Sequence, residues 1–175
     1  MKKTASVIFA AALVATVPAQ ADVLVGIGFG SIGLESGSAD LGSDNNLRLA
    51  IEAIKQESKS ALGLRLSYTD FGEFDANIEA THVGLDLVYR HQVIENGDIL
   101  INAGLGRVDI TEPYYTPFAP GMIIEYSQTT YQAGIGYRHH FGKLSVQADY
   151  SITDVLSSDV DATFSGFTLG ANYAF

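Results

Sequence analysis

The chain has no cysteine, no tryptophan and only four prolines among its 175 residues. Without cysteine it has no disulfide and no thiolate metal site, so a domain of this size would need another closing device outside the cytoplasm. Closing a sheet into a barrel is one. Past residue 22 there is also no apolar run near the ~20 residues a spanning helix requires, although 47% of the residues are hydrophobic. Positive charge is scarce too, with 10 Lys and Arg against 20 Asp and Glu. That balance excludes nucleic acid as a partner, because phosphate binding needs clustered Lys and Arg.

The first residues have the three regions of an export signal. Lys2 and Lys3 are followed by an apolar stretch from Ala5 to Val17 and by Ala19-Gln20-Ala21, a small-residue cleavage site. The apolar stretch is too short for a membrane anchor. Residues 1–21 are therefore expected to be a cleaved signal peptide and 22–175 a single domain. Loss of Lys2 and Lys3 makes the mature domain more acidic still.

What is present is a period of two, repeated along the chain. Phe167, Leu169, Ala171, Tyr173 and Phe175 alternate with small or polar residues, as strand residues facing opposite sides of a sheet do. The same alternation holds for Leu144 to Ile152, Tyr131 to Phe141, Val83 to Tyr89 and Leu62 to Tyr68. Three further segments are less regular. Val23 to Leu34 loses phase near Ser31. In Ile99 to Ile110 the apolar parity changes after Gly106, which predicts a bulge there. Leu47 to Gln56 fits a strand or a helix; the strand is preferred because a bacterial barrel needs an even count.

The connections alternate in length. Glu57 to Ser60, Glu95 to Asp98 and the run ending at Lys143 are short; Glu35 to Asn46, Gly72 to Ala80, Glu112 to Ser127 and Asp154 to Ala162 are longer. Short periplasmic turns and longer extracellular loops, with both termini in the periplasm, are what eight antiparallel strands in an outer membrane require. A soluble lipocalin-like barrel could show the same alternation inside out. Against it stand the glycine-rich polar face and the aromatics Tyr68, Tyr89, Tyr137, Tyr173 and Phe175, which lie near segment ends on the apolar face.

The mature chain resembles the eight-stranded outer-membrane barrels of the OmpA and OmpX type. Ser67-Tyr68-Thr69-Asp70-Phe71-Gly72 resembles the end of the third strand of that family, and Gly170-Ala171-Asn172-Tyr173-Ala174-Phe175 its C-terminal assembly signal. The resemblance implies an all-β, eight-stranded up-and-down transmembrane barrel in the Gram-negative outer membrane. It also implies that the barrel-assembly machinery is a partner, reading Phe167, Leu169, Tyr173 and Phe175. The chain departs from the larger OmpA proteins in lacking their peptidoglycan-binding domain, and its girdles must be built without tryptophan.

Parity places Glu52, Arg65, Asp86, Arg90, Arg138 and Asp149 inside the barrel. An eight-stranded barrel is filled by its own side chains, so these charges are expected to pair in a structural network; the rival is a narrow gated pore whose pairs switch. The four long connections hold Asp and Glu but no Lys or Arg. They predict a negative outer crown that meets lipopolysaccharide through divalent cations, with no specific metal site and no cofactor. The third connection concentrates stiff and apolar residues, and Tyr114, Tyr115, Phe118 and Met122 are its candidate binding residues for a host or surface ligand.

Catalysis is not expected. The lipid-facing His91 and His139 lie beside the short turns, away from an outer-leaflet substrate. His82 points inward and His140 sits on the interior floor. The sequence thus predicts a non-catalytic surface barrel for envelope integrity or adhesion, with a small-solute pore and a lipid-modifying enzyme as rivals.

Overall fold

The computed structural model describes residues 21–55, 59–116, 119–157 and 162–175, with the side chains of residues 76 and 114–122 left aside. The expected signal peptide, residues 1–21, lies outside the described residues save for Ala21. Eight antiparallel strands follow in chain order: β1 (Asp22–Ser36), β2 (Ala39–Ile54), β3 (Ser60–Phe74), β4 (Ile78–Ile94), β5 (Gly97–Thr116), β6 (Ala119–Phe141), β7 (Leu144–Val155) and β8 (Ala162–Ala174). Each pairs with its neighbours, and β1 pairs with β8 from Leu24↔Ala174 to Ser36↔Ala162, closing the barrel. Closure leaves no edge in the barrel wall, which is how a chain without disulfides, and with no spanning helix among the described residues, satisfies its backbone in lipid.

The segment 47–56, open between strand and helix in the sequence, is strand through Ile54. Its residues Leu49 to Ile54 pair with both β1 and β3.

Alternation sorts the side chains. On β4, Val83, Leu85, Leu87 and Tyr89 are exposed, while His82, Asp86, Val88 and Arg90 are buried. The apolar residues therefore face outward and the polar ones inward, the reverse of a soluble barrel. Eight residue steps of about 3.3 Å, tilted about 40°, give the belt from Val83 to His91 a height of about 20 Å, close to the ~25 Å apolar band of such barrels. Tyr89, Tyr137, Tyr173 and Phe175 mark the rim that carries the termini, and Tyr68 lies toward the far rim.

Two expectations are corrected. No bulge occurs at Gly106: the register runs unbroken through Gly84↔Gly106 and His82↔Val108. Val108 and Ile110 keep the inward parity of Gly106, as do Ile32 and Leu34 on β1, and all four are buried in one cluster. It is the polarity of the interior that changes, from the charged middle of the barrel to an apolar far end. The second correction concerns the long connections. β1 and β2 meet at a two-residue turn, Gly37 and Ser38, and β3 and β4 at the 3₁₀ turn Asp75–Asn77. What the sequence presents as loops is largely strand continuing past the belt, because in water paired backbone is the cheapest way to satisfy its polar groups.

Candidate functional site

The lumen is built in three main layers, with a small apolar cluster of Leu24, Ile54, Val88 and Leu100 between the lower two. At the floor, near the termini, Arg90 Nη1 donates to Asp98 Oδ2 at 3.1 Å, and the His140 ring nitrogen lies 2.7 Å from the same oxygen. Cross-strand placement explains the cluster: β4, β5 and β6 are neighbours, and Asp98 pairs with Arg138 across the sheet.

The middle layer centres on Glu52. Its carboxylate accepts from Arg65 Nε and Nη2 at 2.9 and 2.7 Å, and from Arg138 Nη1 and Nη2, both at 2.8 Å. Two forks on one carboxylate satisfy its acceptor capacity, which is the condition for keeping such a charge away from water. Arg138, 1% exposed, reaches across the lumen from β6 to β2. Its Nε also donates to Gln147 Oε1 at 2.8 Å, and Gln147 Nε2 donates to both oxygens of Asp149 at 2.7 Å. Asp149 is closed from the other side by Arg48, and Asp86 accepts from Gln132.

The top layer is apolar. Phe71, Phe74, Phe164, Val108, Ile110, Ile32 and Leu34 pack into one buried cluster. Phe164 is fully enclosed, its ring 4.7 Å from that of Phe71. His82 lies at the boundary, stacked on Phe71 at 5.7 Å and hydrogen-bonded to Thr130 Oγ1 at 2.9 Å. Between the layers lie two cavities of about 10 and 20 Å³, each with room for about one water.

Of the six interior charges read from parity, Glu52, Arg65 and Arg138 form one group. Asp149, Asp86 and Arg90 take other partners: Arg48, Gln132 and Asp98. Those partners were missed. Arg48 shares Glu52's parity but lies in the segment whose pattern fits strand or helix, and the alternation of connections puts Asp98 in a turn. Gln132 and Gln147 were on the polar faces but uncharged.

The residues expected to form an assembly signal, Phe167, Leu169 and Tyr173 on β8 and Phe175 just past it, are all exposed. Phe175 N–H donates to Val23 O at 3.1 Å, pinning the chain's end to β1. The Tyr173 and Phe175 rings meet edge to face at 5.0 Å, and Lys143 Nζ stands 5.9 Å over Tyr173. Of the third-connection residues, Phe118 lies outside the described residues. The backbones of Tyr114 and Met122 pair across the β5–β6 hairpin, and Tyr115 lies in β5.

Lipid-facing histidines occur at the terminal rim. His91 Nδ1 and Ser60 Oγ are 2.8 Å apart, and His139 Nδ1 lies 3.2 Å from the Tyr137 hydroxyl. Among the described residues no cluster of three or more His, Cys, Asp or Glu is arranged to hold a metal ion.

This closed barrel with an apolar exterior and a polar lumen defines a transmembrane β-barrel. The chain belongs to the outer membrane protein beta-barrel domain family, which it matches over residues 7–175. No curated protein matches it. Among solved structures it is similar to Ail, the attachment invasion locus protein of Yersinia pestis, at 14% identity and a TM-score of 0.66, over 89% of this chain and 99% of that one. A second Ail structure, in complex with the heparin analogue sucrose octasulfate, aligns at 17% identity and a TM-score of 0.59, with the same coverage. Neisserial surface protein A aligns at 11% identity and 0.65, over 87% and 97%, and the outer membrane enzyme PagL at 14% and 0.50, over 86% and 98%. At these identities the likeness is one of fold.

Proposed function

We propose that this protein is a non-catalytic outer-membrane barrel that acts from its far rim, in adhesion or envelope integrity, with its lumen closed. One observation carries the reading: the lumen is filled by two chemically different layers, the Glu52 network and the Phe71–Phe164 cluster. Opening a charged gate would still leave an apolar barrier above it. In planar bilayers the folded protein is expected to show no reproducible conductance; steady channels abolished by Arg138→Met would establish the gated pore instead.

In this reading residues 1–21 direct export, both termini lie in the periplasm and the far rim faces outward. The assembly machinery reads the exposed C-terminal aromatics. Ail's heparin analogue is a polyanion, and recognition of sulfate rests on Arg and Lys. The far connections of this chain carry none, so its ligand is expected to differ in sign, and lipopolysaccharide phosphates would be met through divalent cations. Replacing Tyr114, Tyr115 and Phe118 by serine tests the rim. Loss of attachment to host cells or matrix is expected; unchanged attachment would remove this connection from the function.

A lipid-modifying activity lacks support in the geometry. His91 with Ser60 stands at the terminal rim, and His82 is enclosed in the lumen.

A further inference from the structure

Two lipid-facing histidines at the terminal rim are built alike. On β4, His91 pairs with Ser60 of β3; its Nδ1 lies 2.8 Å from Ser60 Oγ, and its ring stacks on Tyr89 with centroids 6.5 Å apart. On β6, His139 Nδ1 lies 3.2 Å from the Tyr137 hydroxyl, and its ring stacks on Tyr137 at 6.3 Å and meets Phe141 edge-on at 4.8 Å. An ionisable side chain on a lipid-facing surface is costly, and where one persists it marks a functional site by default. Here one arrangement, a ring held by a hydroxyl and backed by an aromatic, occurs twice.

The two pairs are neighbours. Only β5 separates them: His91 pairs with Ile99, and Gly97 with His139. Gly97 has no side chain, and a Cβ there would collide with the Tyr137 hydroxyl. The Tyr137 side chain therefore lies over β5, on the way to β4.

Depth identifies what meets them. Two residue steps of about 3.3 Å, on strands tilted about 40°, put His91 and His139 about 5 Å beyond Tyr89 and Tyr137. These tyrosines mark the edge of the belt, and the headgroup layer of one leaflet is about 5–7 Å deep. Both rings thus stand at the level of lipid phosphates. Exposed apolar side chains surround them, Leu62 and Ile99 on one side and Val93, Ile94 and Phe141 on the other, so the molecule lying against them is a lipid.

The chemistry selects an acceptor. A hydroxyl that donates to Nδ1 fixes the ring proton on Nε2, and among the described residues neither Nε2 has a partner. No carboxylate among them bonds to either ring, so the rings are not oriented as catalytic bases. Each offers an N–H. Positive charge gathers at the same rim: Lys55, Lys59 and Lys143 are all the lysines past residue 22, and Lys59 directly precedes Ser60.

We infer that the His91–Ser60 and His139–Tyr137 pairs form a binding site for the phosphate of a glycerophospholipid in the leaflet at the terminal rim. The two Nε2–H groups donate to phosphate oxygens, and lysine adds the charge that strengthens such bonds. An anionic headgroup such as phosphatidylglycerol suits the site, because it brings no ammonium to face the lysines.

The site lies in the periplasmic leaflet if the barrel has the orientation proposed above, and the test separates the two. The mature barrel, its histidine rings labelled with ¹⁵N, is placed in phosphatidylglycerol bilayers, and ¹⁵N–³¹P dipolar dephasing is measured in the solid state. Dephasing is expected at His91 and His139 Nε2, identified by its loss in His91→Phe and His139→Phe, and not at the lumenal His82 and His140. Ser60→Ala and Tyr137→Phe keep both rings at the same depth and should each lose most of the dephasing at the ring they serve. Bilayers of galactosyl diacylglycerol, with inorganic phosphate in the buffer, should show none. No dephasing in phosphatidylglycerol, equal dephasing with inorganic phosphate alone, or no change in the two hydroxyl variants would each overturn the site. Separately, Asn96→Cys on intact cells should resist a membrane-impermeant maleimide and react once the outer membrane is permeabilised. Reaction on intact cells, with the dephasing unchanged in bilayers, would sink the orientation and leave the lipid site standing.

Discussion

Glu52 shows what a single residue decides in this barrel. Removing it leaves the guanidinium groups of Arg65 and Arg138 facing each other without the carboxylate they share, in a lumen where each is nearly inaccessible. Breaking a buried pair in this way costs about 3–5 kcal/mol, so Glu52→Ala should lower the urea midpoint of unfolding by that equivalent. Asp44, above the belt, gives a pH-dependent counterpart. Its Oδ2 accepts from Glu73 N–H at 2.7 Å, and this bond and one from the Asn45 backbone hold its carboxyl below the usual aspartate range. A depressed folded value means the contact stabilises at neutral pH and is lost as pH falls through that value. The protection of the Glu73 amide, taken relative to intrinsic exchange at each pH, should fall below the ordinary aspartate range; protection that does not change with pH would contradict the assignment. Gly72 beside it has φ +84°, and a Cβ there would collide with Asp44 Oδ2. Gly72→Ala should therefore disturb the same contact at every pH.

The elements were legible wherever the belt imposes its period. β4, β7 and β8 could be read because lipid demands an apolar residue at every second position, and Phe167 to Phe175 meets that demand without exception. Legibility failed above the belt, for one physical reason. There the exterior meets water, as the exposed Arg107 and Asp109 do, while Val108 and Ile110 turn inward. A reading that equates apolar with lipid-facing sees a change of phase at Gly106 and invents a bulge. The same blindness made loops of the strand ends around Gly37, whose Gly, Ser and Asp residues have low strand propensity. In the lumen, formal charge was visible but partnership was not. Arg48 and Asp98 lie in segments the pattern left ambiguous or assigned to a turn, and Gln147 joins the network without any charge. The apolar layer that went unread should be an energetic anchor. Phe164→Ala is expected to cost about 3–5 kcal/mol, measured as a lower temperature for conversion of the compact gel band to the unfolded one. A shift no larger than that of an exposed belt residue such as Leu169→Ala would show that the layer is loosely packed.

At the scale of the whole molecule, closure does what disulfides and spanning helices do elsewhere, and the filled lumen is what supports the proposal of a function at the rim. The three layers make the interior a support: the floor and the Glu52 network tie the wall together, and the aromatic layer carries the hairpin that stands above it. The most direct measurement is surface proteolysis of intact cells followed by gel migration with and without heating. A compact band that shifts on heating, with cuts confined to residues 112–127 and the other far connections, is the predicted result. Cuts at 55–59, 95–96 or 142–143, or a periplasmic protein with no heat-dependent shift, would contradict it.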